Sequence, residues 1–119
     1  MDTQLKTNRF FVYGSLKKGL HNHRVMEYAG GKFVGYATIQ GATMYSMGGY
    51  PGLALDDNTN PIHGEVYEIE DVRPLDRLEG APTFYNRKVM SSSIGDVYVY
   101  YLNDGKPRGC PVVESGIWQ

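Results

Sequence analysis

A single cysteine in 119 residues, Cys110, excludes an internal disulfide, and its place between Gly109 and Pro111 offers neither a helix start nor a basic neighbour to activate the thiol. A nucleophilic cysteine is therefore not expected, and a reducing, cytoplasmic setting is. No apolar stretch approaches the length of a membrane span or the core of a signal sequence. Charge of one sign is also missing: 12 basic and 13 acidic residues are scattered to a formal net charge of -1, which leaves no electrostatic footprint for nucleic acid or an anionic membrane. The Gly-x-Ser-x-Gly, P-loop, dinucleotide, HExxH and CxxC patterns do not occur. His21, His23 and His63 lack zinc-site spacing, so no metal and no cofactor is expected.

What is present is the composition of an ordinary globular protein, 41% hydrophobic and 21% charged, of a length that suits one domain over residues 1–119. Ten tyrosines stand against one tryptophan. Tyrosine suits half-buried strands and pockets rimmed by hydroxyls, so the expectation is a β-rich fold with an aromatic-lined cavity.

The order of elements supports this. Arg9 to Tyr13 reads as a short strand ended by Gly14-Ser15-Leu16. Asn22 is placed to cap a helix from His23 to about Ala29, with Gly30-Gly31 as its stop. Strands follow over Phe33 to Ile39, Ala42 to Ser46, Leu53 to Leu55 and Ile62 to Ile69, with glycines 35, 41, 48, 49, 52 and 64 suggesting bulges and bends of a small curled sheet. A second helix, capped by Asp71, leads to Gly80, and Tyr85 to Ser91 with Asp96 to Leu102 forms a hairpin. The tail is expected to pack through Val112, Val113 and Trp118. The pattern is α+β, a mostly antiparallel and partly closed sheet flanked by two short helices.

The second helix carries the most informative residue. Counted from Val72, Leu75, Leu78 and Glu79 are expected to share one buried stripe, which puts a carboxylate where a helix would bury a leucine. Lost hydration and the negative end of the helix dipole would both raise its pKa toward the range of a neutral-pH acid or base. Tyr85 and Arg87, two apart on one strand face, could orient this carboxylate, although Arg87 would pull its pKa back down. At the end of the first strand, Tyr13-Gly14-Ser15-Leu16 can turn backbone N–H groups inward to form an anion-binding concavity, or can be an ordinary strand-to-loop turn.

Taken together, Phe11-Val12-Tyr13-Gly14-Ser15-Leu16-Lys17-Lys18-Gly19 with Asn22-His23, then Gly64-Glu65-Val66-Tyr67, then Leu75-Asp76-Arg77-Leu78-Glu79-Gly80 with Pro82, Tyr85 and Arg87, resemble the γ-glutamylcyclotransferase-like family, in particular its AIG2-like and γ-glutamylamine cyclotransferase branch. The likeness runs in order from about Arg9 to Leu102. It implies a small mixed α+β barrel with a cavity at its mouth. It also implies that Tyr13, Gly14, Ser15 and Leu16 hold the α-carboxylate and amine end of a γ-glutamyl group, that Tyr85 lines the pocket and that Glu79 is the acid/base. The implied reaction is attack of the substrate's α-amine on its own γ-carbonyl, giving 5-oxoproline and a free amine without metal, nucleotide or covalent intermediate. Loops around Tyr45 to Pro51 and the C-terminal tail are expected to face the leaving group. The competing expectation is a non-catalytic module that binds a small carboxylate or peptide end, favoured if Glu79 is tightly paired with Arg87.

Overall fold

In the computed structural model, which describes residues 7–118 apart from 15, 18, 21, 22 and 82, the first strand explains the architecture. β1 (Arg9–Val12) is apolar at every position after Arg9, and such a run fits a strand covered on both faces. Phe10 and Val12 point into one core, and Phe11 and the following Tyr13 into another. The same parity governs β7 (Gly95–Leu102), where Tyr98, Tyr100 and Leu102 join the first core and Val97 and Val99 the second.

The second core is the interior of a closed barrel in which β1 lies between β7 and β5 (Ile62–Glu68), β5 pairs with β2 (Lys32–Ile39), and β6 (Tyr85–Ser92) pairs with β7. All of these pairings are antiparallel except β1 with β7, which is parallel. Between β2 and β6 the ring closes through the single partner pair Ile39 and Ser92. β3 (Ala42–Ser46) and β4 (Pro51–Leu55) form a separate antiparallel ribbon. Its Ala42, Met44 and Leu53 contribute to the barrel interior. The first core lies outside the barrel, under α1 (His23–Tyr28) and α2 (Arg73–Glu79), where Met26, Val72 and Leu75 meet the outer faces of β1 and β7.

The expected α+β barrel with two flanking helices is therefore the observed one, with strand limits within about two residues of those read from pattern. Of the glycines expected at bulges and bends, Gly35 lies at a bulge and Gly64 instead at a close approach. The β2–β5 register shifts between Phe33 and Gly35, a bulge. A Cβ on Gly64 would lie 2.5 Å from the Val12 carbonyl oxygen, so this position of β5 admits no side chain where it crosses β1.

Three expectations are revised. Val72 rather than Asp71 occupies the cap position of α2 and makes no side-chain cap; Asp71 instead accepts the Arg73 N–H at 3.0 Å and pairs with its guanidinium. The buried stripe is Val72, Leu75 and Asp76, with Glu79 half-buried at the i+7 position of the same face, and Leu78 is 40% exposed. In the tail, Val113 and Trp118 pack on the barrel interior, but Val112 is exposed and only bridges to Tyr45. The proposed cap Asn22 lies outside the described residues.

Candidate active site

α2 ends where its sequence stops it. Gly80 adopts φ +65°, a conformation that a side chain would strain, and its N–H and that of Ala81 bond back to the carbonyls of Arg77 and Asp76. This end points the last helical residue, Glu79, into a cavity of about 410 Å³. The cavity brings together most of the residues singled out from sequence: Tyr13, Gly14 and Leu16 from the end of β1 and its loop, Tyr85 from the start of β6, and Glu79. Ser15 lies outside the described residues. Gly49, Tyr50 and Pro51, from the turn of the ribbon, supply another wall, with Phe84 and Leu78 beside them. The tail does not line it among the described residues, so the expectation that the tail shapes this space is not met.

Burial pushes the Glu79 carboxyl up to about 7. Desolvation is the whole cause: among the described residues no donor hydrogen-bonds to the carboxylate and no cation pairs with it. The expected helpers are engaged elsewhere. The Tyr85 hydroxyl donates to the Pro51 carbonyl at 2.6 Å, and Arg87 Nε donates to Asp76 Oδ1 at 2.9 Å, so neither orients Glu79 and Arg87 does not lower its pKa.

The hydroxyls around the carboxylate are oriented by the protein. Tyr13 donates to the Tyr100 carbonyl at 2.7 Å, and Tyr100 donates to Asp76 Oδ1 at 2.6 Å. Burial, and then the nearby Glu79 charge, raise the pKa values of Tyr13 and Tyr85; burial and the hydrogen bond to Asp76 raise that of Tyr100. All three phenols stay protonated near neutrality. Because each proton is already directed at a protein acceptor, these hydroxyls can offer a ligand lone pairs but not donors.

Gly14 is fixed by a neighbour rather than by its own dihedrals. A Cβ there would sit 2.9 Å from Pro51 Cγ, so the first strand's loop and the ribbon's turn meet only because Gly14 has no side chain. The loop is tied down by turns, Lys17 N to Gly14 O and Leu20 N to Lys17 O, and by a hydrogen bond between His23 Nδ1 and the Leu16 carbonyl oxygen.

Asp76 escaped notice in the sequence. It is buried against Arg87 and Tyr100, and the Arg87 guanidinium also lies over the Tyr98 ring at 5.0 Å. The signal was there: position 76 is four residues after Val72 and therefore on the buried stripe.

The sequence profile of the family described as gamma-glutamyl cyclotransferase, AIG2-like, matches residues 10–119. The chain belongs to this family. It is a γ-glutamylcyclotransferase-like enzyme. The Escherichia coli family protein YtfP is 34% identical over 113 residues, covering 92% of this chain and 95% of YtfP. The γ-L-glutamyl-butirosin B γ-glutamyl cyclotransferase of Niallia circulans is 38% identical over 71 residues, 58% of this chain and 44% of that enzyme. Among solved structures, an AIG2-like protein from Mus musculus superposes with a TM-score of 0.77 at 26% identity, covering 91% of this chain and 86% of that one.

Proposed function

We propose that this member of the family cleaves a γ-glutamyl amide, the amide of an amine or of an amino acid, by intramolecular aminolysis to 5-oxoproline, with Glu79 as the acid/base. The observation that carries the reading is a carboxyl pushed up to about 7 by burial alone, facing the same cavity as Tyr13, Gly14 and Leu16. A free α-amine has a pKa near 8, so at neutral pH most of it is protonated and cannot attack. Ionised Glu79 takes one proton from the α-ammonium. The freed amine adds to the γ-carbonyl carbon, closing a five-membered ring, and the bond from that carbon to the amide nitrogen then breaks. Protonated Glu79 returns its proton to the departing nitrogen, and a second proton passes from the ring nitrogen to it, leaving a lactam N–H and an ammonium ion. Holding the chain folded for ring closure is the larger part of the task, because a well-oriented intramolecular attack gains several kcal/mol over a bimolecular one, roughly 7–11 at its best.

The tyrosines divide the recognition. Their hydroxyl oxygens, with protons turned away, suit the substrate's ammonium, while its carboxylate and the developing oxyanion need backbone N–H groups of the Gly14–Leu16 segment, to which Ser15 would add its hydroxyl. A relative named γ-L-glutamyl-butirosin B γ-glutamyl cyclotransferase is consistent with removal of a γ-glutamyl group from a larger molecule. The non-catalytic alternative called for Glu79 locked to Arg87, and Arg87 is bound to Asp76 instead.

The test is to incubate the protein with γ-glutamyl amines, γ-glutamyl amino acids and glutathione and to measure 5-oxoproline. Release from at least one of the first two classes, abolished in Glu79→Gln, is expected. No release from any of them, or near-wild-type release by Glu79→Gln, would sink the assignment.

A further inference from the structure

Buried arginine next to a cavity whose base must stay basic poses a problem, and the structure answers it with Asp76. The Arg87 and Asp76 side chains are each only 9% exposed. Arg87 Nε and Nη2 reach the two carboxylate oxygens at 2.9 and 3.3 Å, and the Tyr100 hydroxyl closes on Oδ1. Tyr100 in turn receives the Tyr13 hydroxyl on its carbonyl, so one strand residue ties α2 to the end of β1. Asp76 and Glu79 are three residues apart on the same helical face, and a helix that short can only present Glu79 to the cavity if its rotation is fixed.

We propose that Asp76 is a positioning residue for the reaction: by binding Arg87 and Tyr100 on the core side of α2 it sets the direction of Glu79 and keeps the guanidinium charge from that carboxylate. The inference rests on Glu79 being the acid/base. The titratable groups around Glu79 among the described residues are Tyr13 at the end of β1, Tyr85 on β6, Tyr100 on β7 and Tyr50 in the ribbon turn, all phenols, with Asp76 and Arg77 on its own helix. α1, which packs on α2, contributes Val25 and Met26 to the shared core. Arg87 and Asp76 are a paired cation and anion outside the cavity lining, and with the two charges bound to each other burial is left as the cause of the Glu79 shift.

Removing one member of the pair should move Glu79 in a direction set by the charge left behind. Asp76→Asn removes the negative charge from the pair and favours ionised Glu79; Arg87→Met removes the positive charge and disfavours it. The measurement is the titration of the Glu79 side-chain carboxyl carbon by NMR in labelled protein, assigned with Glu79→Gln, together with the acid limb of the pH profile for 5-oxoproline release. Relative to the wild-type midpoint, Asp76→Asn should titrate lower and Arg87→Met higher, each by roughly half a pH unit or more, with the double variant returning toward wild type. Loss of a purely structural contact would not give opposite signs or restoration in the pair. If Asp76→Asn does not fold, the upward movement in Arg87→Met decides alone. Midpoints unmoved, or moved in one direction by both changes, would overturn the proposal. Turnover is a separate readout: titrations that behave as expected in a wild-type protein releasing no 5-oxoproline would sink the assigned reaction and leave the electrostatic role of Asp76 standing.

Discussion

Asp76 and Glu79 are carboxylates on one face of one short helix, and the protein treats them in opposite ways. Asp76 points into the core and receives a guanidinium and a phenol; Glu79 points into a cavity and, among the described residues, receives nothing. A buried charge is tolerated only when donors replace its lost water, so the first carboxylate is stabilised as an ion and the second has its proton affinity raised by burial. The difference cannot come from helix position alone, since a single turn separates them. It comes from what the neighbouring strands present: Arg87 and Tyr100 to one, and the ends of β1 and the ribbon turn, with an open space between them, to the other.

This contrast can be broken most severely at Asp76. Asp76→Ala takes the carboxylate away from the buried Arg87 and should cost about 3–5 kcal/mol of stability, read from urea unfolding. A loss under about 1 kcal/mol would mean that the pair is no stronger than a surface one. Glu79→Gln should leave the fold intact and lower turnover by roughly two decades or more, as expected for removing a general acid/base.

The same substitution sharpens the comparison through pH. The folded-state pKa of Glu79, about 7, lies above the unfolded value, so between the two the folded protein holds a proton that the unfolded chain has released. Stability contributed by the neutral form is present at low pH and is lost as pH rises toward 7. Glu79→Gln does not suffer that loss. It should be more stable than wild type at pH 8 by on the order of 1–3 kcal/mol, with the gap closing toward pH 4. Thermal melts across that range provide the check, and a gap that does not vary with pH would contradict the burial argument. The smallest effect is expected at Leu78, where replacement by Ala should change stability by less than about 1 kcal/mol because the side chain is largely outside the core. A loss of several kcal/mol would return Leu78 to the buried stripe.

Much of this was legible in the residues. Alternation and turn chemistry placed the strands, because a strand covered on both faces, such as Phe10-Phe11-Val12, and a glycine that must be a glycine, such as Gly80, leave plain traces. The cavity residues Tyr13, Gly14, Leu16, Tyr85 and Glu79 were also found, through the anomaly of a charge on an apolar face and through the family likeness. The partners of those residues were not. Arg87 lies two residues from Tyr85 on β6, which made Glu79 its natural mate in sequence, but the choice between Glu79 and Asp76 depends on the rotation of α2 against β7. That rotation is fixed by Tyr100, 24 residues from Asp76 in the chain, and no local pattern reports it. A barrel was expected, but the pairing that closes it was likewise hidden, since the parallel contact of β1 with β7 joins segments nearly ninety residues apart.

The hydrogen bond from Tyr13 to the Tyr100 carbonyl spans 87 residues of chain, and it joins the two halves of the cavity. Its consequence is temporal. Loop-closure entropy makes so distant a contact late and slow to form, and on a ribosome the lining of the cavity is complete only after Tyr100 has emerged. A truncated or partly folded chain therefore lacks the complete cavity: its last wall and the completion of the barrel arrive in the same step.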